Sequence, residues 1–340
     1  VSAEQKPFDV HRFDASLLNI PQLLAGVRDL HNTAEKDRLR LDEWTVERIS
    51  HTPQRTIYRA TPSDLSSFPK LAIKLYHKYK LPPAGREHNV LQALQDLGVS
   101  IGPRPFYADD KPDELPVPVL VAEWIDGQPL RRPPNLNDEG MWHRIMSLTG
   151  IVQDLPLMKL SSKIPMLGQG AQSAADMFRM IQNALEKLGE THPLYQNLQA
   201  LFEQAQNKIS DDWNMPAKVA LSRLSVEPHH FIWDGHHLRG VGWDKIDWTD
   251  TAYGVAFLSA HPAYEELPSS HWVWFRWEYA RLTNDETLIA RATVYTHLLW
   301  LFWAIDRAYH ADTSADAGDK KRLSSQGERY LKRVQQALKG

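Results

Sequence analysis

Residues whose types and spacing could do chemistry fall into two stretches of this chain. In the first, Lys74 is the one charged residue of the apolar run Leu71-Ala-Ile-Lys-Leu-Tyr76, and Glu87 follows thirteen positions later. A flexible ammonium acts as a placed counter-charge only when a carboxylate orients it. Each residue alone has an ordinary explanation: a strand lysine snorkels at a sheet edge, and a first-turn glutamate faces the positive end of its helix. The second stretch gathers Ser225, Glu227, His229, His230, His236, His237, Asp244 and Asp247. Imidazoles and carboxylates at this density have the composition of a zinc or other divalent-metal site. His236 and His237, however, flank the hairpin tip Asp234-Gly235 and read as exposed turn residues.

The elements that must hold these residues change character along the chain. Residues 15 to 40 have helical spacing, and 44 to 60 shift to short β-like runs. The strand containing Lys74 comes next, then a helix from about 85 to 97 with Val90, Leu91, Leu94 and Leu97 on one face and Gly98 as its stop. Segments 103 to 108 and 117 to 124 read as two further strands. Gly127, Pro129, Pro133 and Pro134 mark a boundary, beyond which the pattern is helical over about 137–154, 172–188, 194–209, 271–283, 286–310 and 319–338. One β interruption, 231 to 243, lies among those helices. This divides the chain into a helical extension (1–40), a sheet-plus-helix lobe (41–125), a linker (126–134) and a helical lobe (135–340).

Composition narrows the function classes. At 340 residues the chain has room for two cores, and a net charge of −3 gives no reason to expect nucleic acid or an anionic membrane as partner. With no cysteine, disulfides, thiolate metal sites and a cysteine nucleophile are excluded. The most apolar stretch, 292 to 309, carries Thr293, Thr296, His297, Asp306 and Arg307, so it reads as the buried helix of a soluble protein, expected in the cytoplasm. Glu4, Lys6 and Asp9 interrupt any leader-like run at the start, although a chain opening on Val1 is consistent with a trimmed leader.

Three stretches in this order resemble the aminoglycoside/choline phosphotransferase family: the Lys74 strand with Arg86-Glu87, the run Val119-Leu-Val-Ala-Glu-Trp-Ile-Asp-Gly-Gln-Pro-Leu130, and 219 to 260. The resemblance implies an α+β, two-lobed protein-kinase-like fold with a small antiparallel-sheet lobe and a larger helical one. It implies that Lys74 and Glu87 form the pair that serves nucleotide phosphates, and that the backbone around Glu123 and Ile125 meets an adenine ring. It also places the aromatics Trp272, Trp274, Trp277 and Tyr279 beside a substrate cleft, where they would stack on a sugar or amine; the simpler reading is a core-forming helix.

The chain departs from the family's pattern where phosphoryl transfer is carried out, in the loop within 219–254. Anchoring on Pro228 and on 231–233 puts Ser225 at the position of the catalytic base and His230 at that of a metal-binding Asn. Serine is a poor base at neutral pH. Gly242 falls at the second metal ligand, with Asp244 and Asp247 as alternatives and Glu227 as an alternative base. His230 and Asp244 are the pair this fold would bring near that site. Between Arg48 and Arg59 the phosphate-covering loop has no glycine; Arg55 there could compensate as a side-chain phosphate contact, but the simpler reading is a solvated turn residue. The expectation is a pseudokinase that binds an unidentified small molecule or protein partner. It would use no certain cofactor, or ATP or another nucleotide with weak or no magnesium dependence. The alternative is an active sugar, amino-sugar or amino-alcohol kinase with displaced metal ligands.

Overall fold

A computed structural model describes residues 13–33, 37–41, 43–65, 67–78, 83–160, 162–209 and 217–339. The chain divides into two compact units. The first takes residues up to Pro129 together with Met158–Ile164 and His230–Lys245; the second takes Leu130–Leu157, Pro165–His229 and the chain from Ile246 onward. Sequence boundaries at 125 and 135 therefore miss two excursions, because Met158–Ile164 and the hairpin His230–Lys245 both belong with the first unit.

In the first unit, alternation makes β3 (Arg55–Pro62) and the first half of β2 (Trp44–His51) one-sided, with Trp44, Val46, Tyr58 and Ala60 turned inward. β4 (Leu71–Tyr76) is buried along nearly its whole length, as a central strand must be. With β1 (Arg38–Arg40), β5 (Pro105–Asp109) and β6 (Val119–Glu123) they form a six-stranded antiparallel sheet in the order β1-β2-β3-β4-β6-β5. α1 (Ile20–His31) starts on the side-chain cap of Asn19 and packs Leu23, Leu24, Val27 and Leu30 into the same core as Trp44 and Tyr58. The stretch expected as a helical extension is therefore part of the sheet domain, and its last residues are the edge strand β1. α2 (Pro83–Asp96) turns Glu87, Val90, Leu91 and Leu94 inward and ends on Gly98 at φ +71°. β7 (Gln128–Pro129), β9 (Phe231–Trp233) and β10 (Leu238–Gly240) form a second small sheet, so the expected linker contributes a strand.

The second unit contains α3 (Glu139–Gln153), α5 (Ala174–Leu188), α6 (Tyr195–Ile209), α7 (Thr251–Ala260), α8 (Ser269–Thr283), α9 (Leu288–Thr313) and α10 (Ala317–Lys339); the short α4 (Leu157–Leu160) belongs to the first unit from Met158 onward. It also holds the ribbon β8 (Val219–Arg223) with β11 (Ile246–Asp250). α9 is long and apolar enough to cross a membrane, but 61% of its most apolar window is buried, and α5, α7 and α10 pack along it. It is a core helix. One ion network holds its start: Arg291 Nε donates to Asp250 Oδ2 (2.9 Å) and Nη2 to Asp285 Oδ2 (2.9 Å), while Asp250 caps α7 by accepting from Ala252 N (3.0 Å). Burial works against the Arg291 charge, but the two carboxylates overcome it and raise its pKa.

Replacing Arg291 with Met would leave Asp250 buried and unpaired. We expect a loss of about 3–5 kcal/mol, read by denaturant unfolding, and a smaller loss for Asp285→Asn, whose site is partly exposed.

Candidate functional site

The pleat of β4 sends Lys74 and Tyr76 to the same side of the sheet, where α2 presents Glu87 from its first turns. Lys74 Nζ donates to Glu87 Oε2 at 2.5 Å and to Asp244 Oδ1 at 3.0 Å. The Tyr76 hydroxyl donates to the same Glu87 oxygen. The other oxygen, Oε1, accepts from the backbone N–H of Trp243 at 3.0 Å. Lys74 Nζ also lies 4.7 Å from the centre of the Tyr76 ring.

Gly242 makes this convergence possible. At φ +76° it occupies the left-handed region that favours glycine, and the chain turns so that Trp243 N–H meets Glu87 while Asp244 meets Lys74. Trp243 is fully buried and its indole N–H donates to Gly240 O (2.8 Å), which fixes the turn from the other side. Sequence reasoning passed over Tyr76 and Trp243; the i, i+2 spacing of Lys74 and Tyr76 was the available signal for the first.

Arg55, at the start of β3, pairs in register with Tyr76. It is not a solvated turn residue: its Nη2 lies 3.2 Å from His230 Nε2. Guanidinium has no acceptor, so in this contact Arg55 donates and His230 Nε2 accepts. Burial pushes the Asp244 carboxyl up, but Lys74, then Arg55 and Lys245, bring it well below 3.8. For Lys74, burial works against the charge, while Glu87 and Asp244 raise it above its ordinary 10.5. Burial, then the Glu87 charge, pushes the Tyr76 hydroxyl well up, so it stays a donor.

The remaining sequence candidates divide by unit. In the first, Glu123 is bidentate to Arg239 (2.7 and 2.8 Å) and accepts from Arg104 N (3.0 Å), and Ile125 is buried. The Glu123 side chain thus braces the β6 end against β10. In the second unit, Asp247 spends both oxygens on backbone: Leu167 N and Trp248 N on one, Gln169 N and Gly170 N on the other, at 2.7–3.2 Å. It clamps a loop and is not arranged as a metal ligand. Ser225 is buried in the same unit, and Glu227 lies 3.9 Å from His261 Nε2. His236 and His237 take the turn positions expected, both N–H groups bonded to Asp234. Trp272 and Tyr279 are core residues, whereas Trp277 is exposed. Among the described residues, no three His, Asp or Glu side chains converge into a metal site.

No family model matches the sequence, and no curated protein matches it. Solved structures do match, and they show the fold as α+β, two-lobed and protein-kinase-like. A choline kinase from Cryptosporidium parvum Iowa II superposes with a TM-score of 0.64 at 13% identity, covering 94% of this chain and 97% of that one. A Plasmodium vivax ethanolamine kinase gives 0.60 at 14% identity, covering 86% and 82%. An aminoglycoside phosphotransferase, APH(4)-Ia, in a ternary complex with AMP-PNP and hygromycin B gives 0.58 at 9% identity, covering 93% and 98%.

Two carboxylates around one buried ammonium make a signed prediction for pH. In the native protein the depressed Asp244 pKa contributes stability that is complete above 3.8 and is lost as pH falls through the folded value. Lys74→Met leaves Glu87 and Asp244 together without their cation, at a cost of about 3–5 kcal/mol at neutral pH. A carboxyl pKa then rises, so the deficit should shrink as pH is lowered from 7 towards 5, measured as the difference in Tm between the two proteins. A deficit that stays constant over that range would contradict the arrangement.

Proposed function

We propose that this is a phosphotransferase-family protein of the cytoplasm that binds a nucleotide-class ligand, with phosphoryl transfer lost or strongly weakened. It would serve a small molecule or a protein partner rather than nucleic acid or a membrane. The observation that carries this reading is the pairing of Asp244 with Lys74. The ammonium that would serve phosphates already has two anionic partners, one of them two residues beyond the expected metal position.

The residues present suit phosphate groups better than a magnesium ion. Lys74 and Arg55 are the cations that would hold phosphates, and the backbone near Ile125 would take the adenine ring. For magnesium the donors do not fit: Asp244 is committed to Lys74, and His230 Nε2 faces a guanidinium. Ser225 at the base position adds no group able to take a hydroxyl proton at neutral pH. Arg55 supplies fixed positive charge where a glycine loop or a metal would otherwise do so, which supports weak magnesium dependence.

A second reading has its own support. Asp244 has the chemistry of a magnesium ligand, and an active kinase would follow if the ion drew it away from Lys74, with Glu227 as base. Asp244→Asn separates the two by sign. If the site is metal-independent, removing this negative charge should tighten magnesium-free ATP binding by about tenfold or less, and chelation should change wild-type affinity little. Calorimetry with magnesium and with chelator reads both. Tight wild-type binding that collapses on chelation and in Asp244→Asn, together with ATP consumption on a hydroxyl or amino-sugar panel, would establish the kinase instead.

A further inference from the structure

The second unit contains a cavity of about 40 Å³ among α7, α8, α9 and α10, lined by Ser259, Trp272, Arg276, Thr296, Trp300 and Arg333. This is more than one water needs and far less than a nucleotide needs. Its polar groups are donors in excess. Arg276 Nη1 donates to Thr296 Oγ1 (3.4 Å), but Thr296 gives its own proton to Ala292 O and Ser259 gives its own to Ala256 O. Arg276 Nε and Trp300 Nε1 are buried with no partner. Arg333 Nη2 donates to Glu265 O (2.7 Å), and its guanidinium stands 5.8 Å from the Trp300 ring centre.

Among the described residues, no carboxylate forms an ion pair with Arg276 or Arg333, and the nearby Glu265 carboxylate is bound by Arg329. The contrast with Arg291 is direct: Arg291 is fully buried with two carboxylates, and the half-buried Arg276 and Arg333 have none among the described residues. Burial alone lowers the pKa of Arg276. One position from Thr296, burial and then the charges of Arg276 and Lys208 push His297 down to about 4. Drawing a guanidinium out of water without a counter-charge is unfavourable unless something compensates it.

We propose that this cavity binds a small free oxyanion of the phosphate or sulfate class, held by the guanidinium groups of Arg276 and Arg333 and the indole N–H of Trp300. The three residues stand on α8, α10 and α9, so the anion would tie these helices together. Planar guanidinium forks suit its oxygens, and its charge supplies what the side chains lack.

Titration calorimetry of the full chain with inorganic phosphate, chloride holding ionic strength constant, tests this. Saturable one-to-one binding is expected, weakened about tenfold or more in Arg276→Gln and in Trp300→Phe, each of which removes charge-assisted hydrogen bonding. Trp300→Phe keeps an aromatic ring in place, so it decides the matter if Arg276→Gln does not fold. A matching loss in both variants separates this cavity from the Lys74 cluster, because Arg276 and Trp300 stand on α8 and α9 of the second unit and Lys74 belongs to the first. The proposal is overturned if the wild type shows no saturable binding, or if binding is undiminished in Trp300→Phe. In each case ordered water fills the cavity instead.

Discussion

A buried ammonium shared by two carboxylates is the constraint on which the first unit depends. Lys74 comes from the central strand, Glu87 from the helix after it, and Asp244 from a segment 170 positions away in sequence. Buried charges are tolerated only when paired and hydrogen-bonded, and here every member is. Tyr76 and Trp243 N–H complete the Glu87 oxygens, and Arg55 offsets the second carboxylate. Small-sheet order, helix position and hairpin return are thus solutions to one electrostatic problem.

Much of this was legible in the sequence because it rests on local pattern. The strand 71–76, the helix ending at Gly98 and the Lys74–Glu87 spacing are periodicity and punctuation, which survive without an alignment. Which carboxylate would meet Lys74 was not legible. Asp247 stands beside Asp244 among the alternatives for the metal position, yet it is occupied by four backbone N–H groups. Asp244 reaches Lys74 only because Gly242 takes a positive φ, and spacing does not report a dihedral. Arg55 was misread for a similar reason: its direction follows from the β3–β4 register, which brings it opposite Tyr76. The segment before β2 has helical spacing, but nothing in that spacing says whose core it joins.

The second unit shows how the same side chain takes opposite parts. Arg291 and Arg276 stand on adjacent helices, and both lose water. Arg291 recovers it through Asp250 and Asp285 and so pins α9 to the β11–α7 junction. Arg276 recovers only a hydroxyl contact and faces a hole. α9 itself demonstrates that apolarity measures burial rather than what does the burying: its sequence satisfies a bilayer's requirements, and other helices meet them instead.

The return of His230–Lys245 to the first unit has a consequence for synthesis on the ribosome. A chain emerging from its N-terminus presents the six strands and α2 long before Trp243 and Asp244 exist. At about 5–20 residues per second, the interval between residue 129 and residue 245 is roughly 6 to 23 s. Throughout it, the nascent sheet carries Lys74 and Glu87 without their remaining partners, and β6 without the Arg239 brace. The N-terminal unit is therefore not the first part of this protein to be finished: its assembly waits for a stretch translated after α6, and maturation of the two units is interleaved in time.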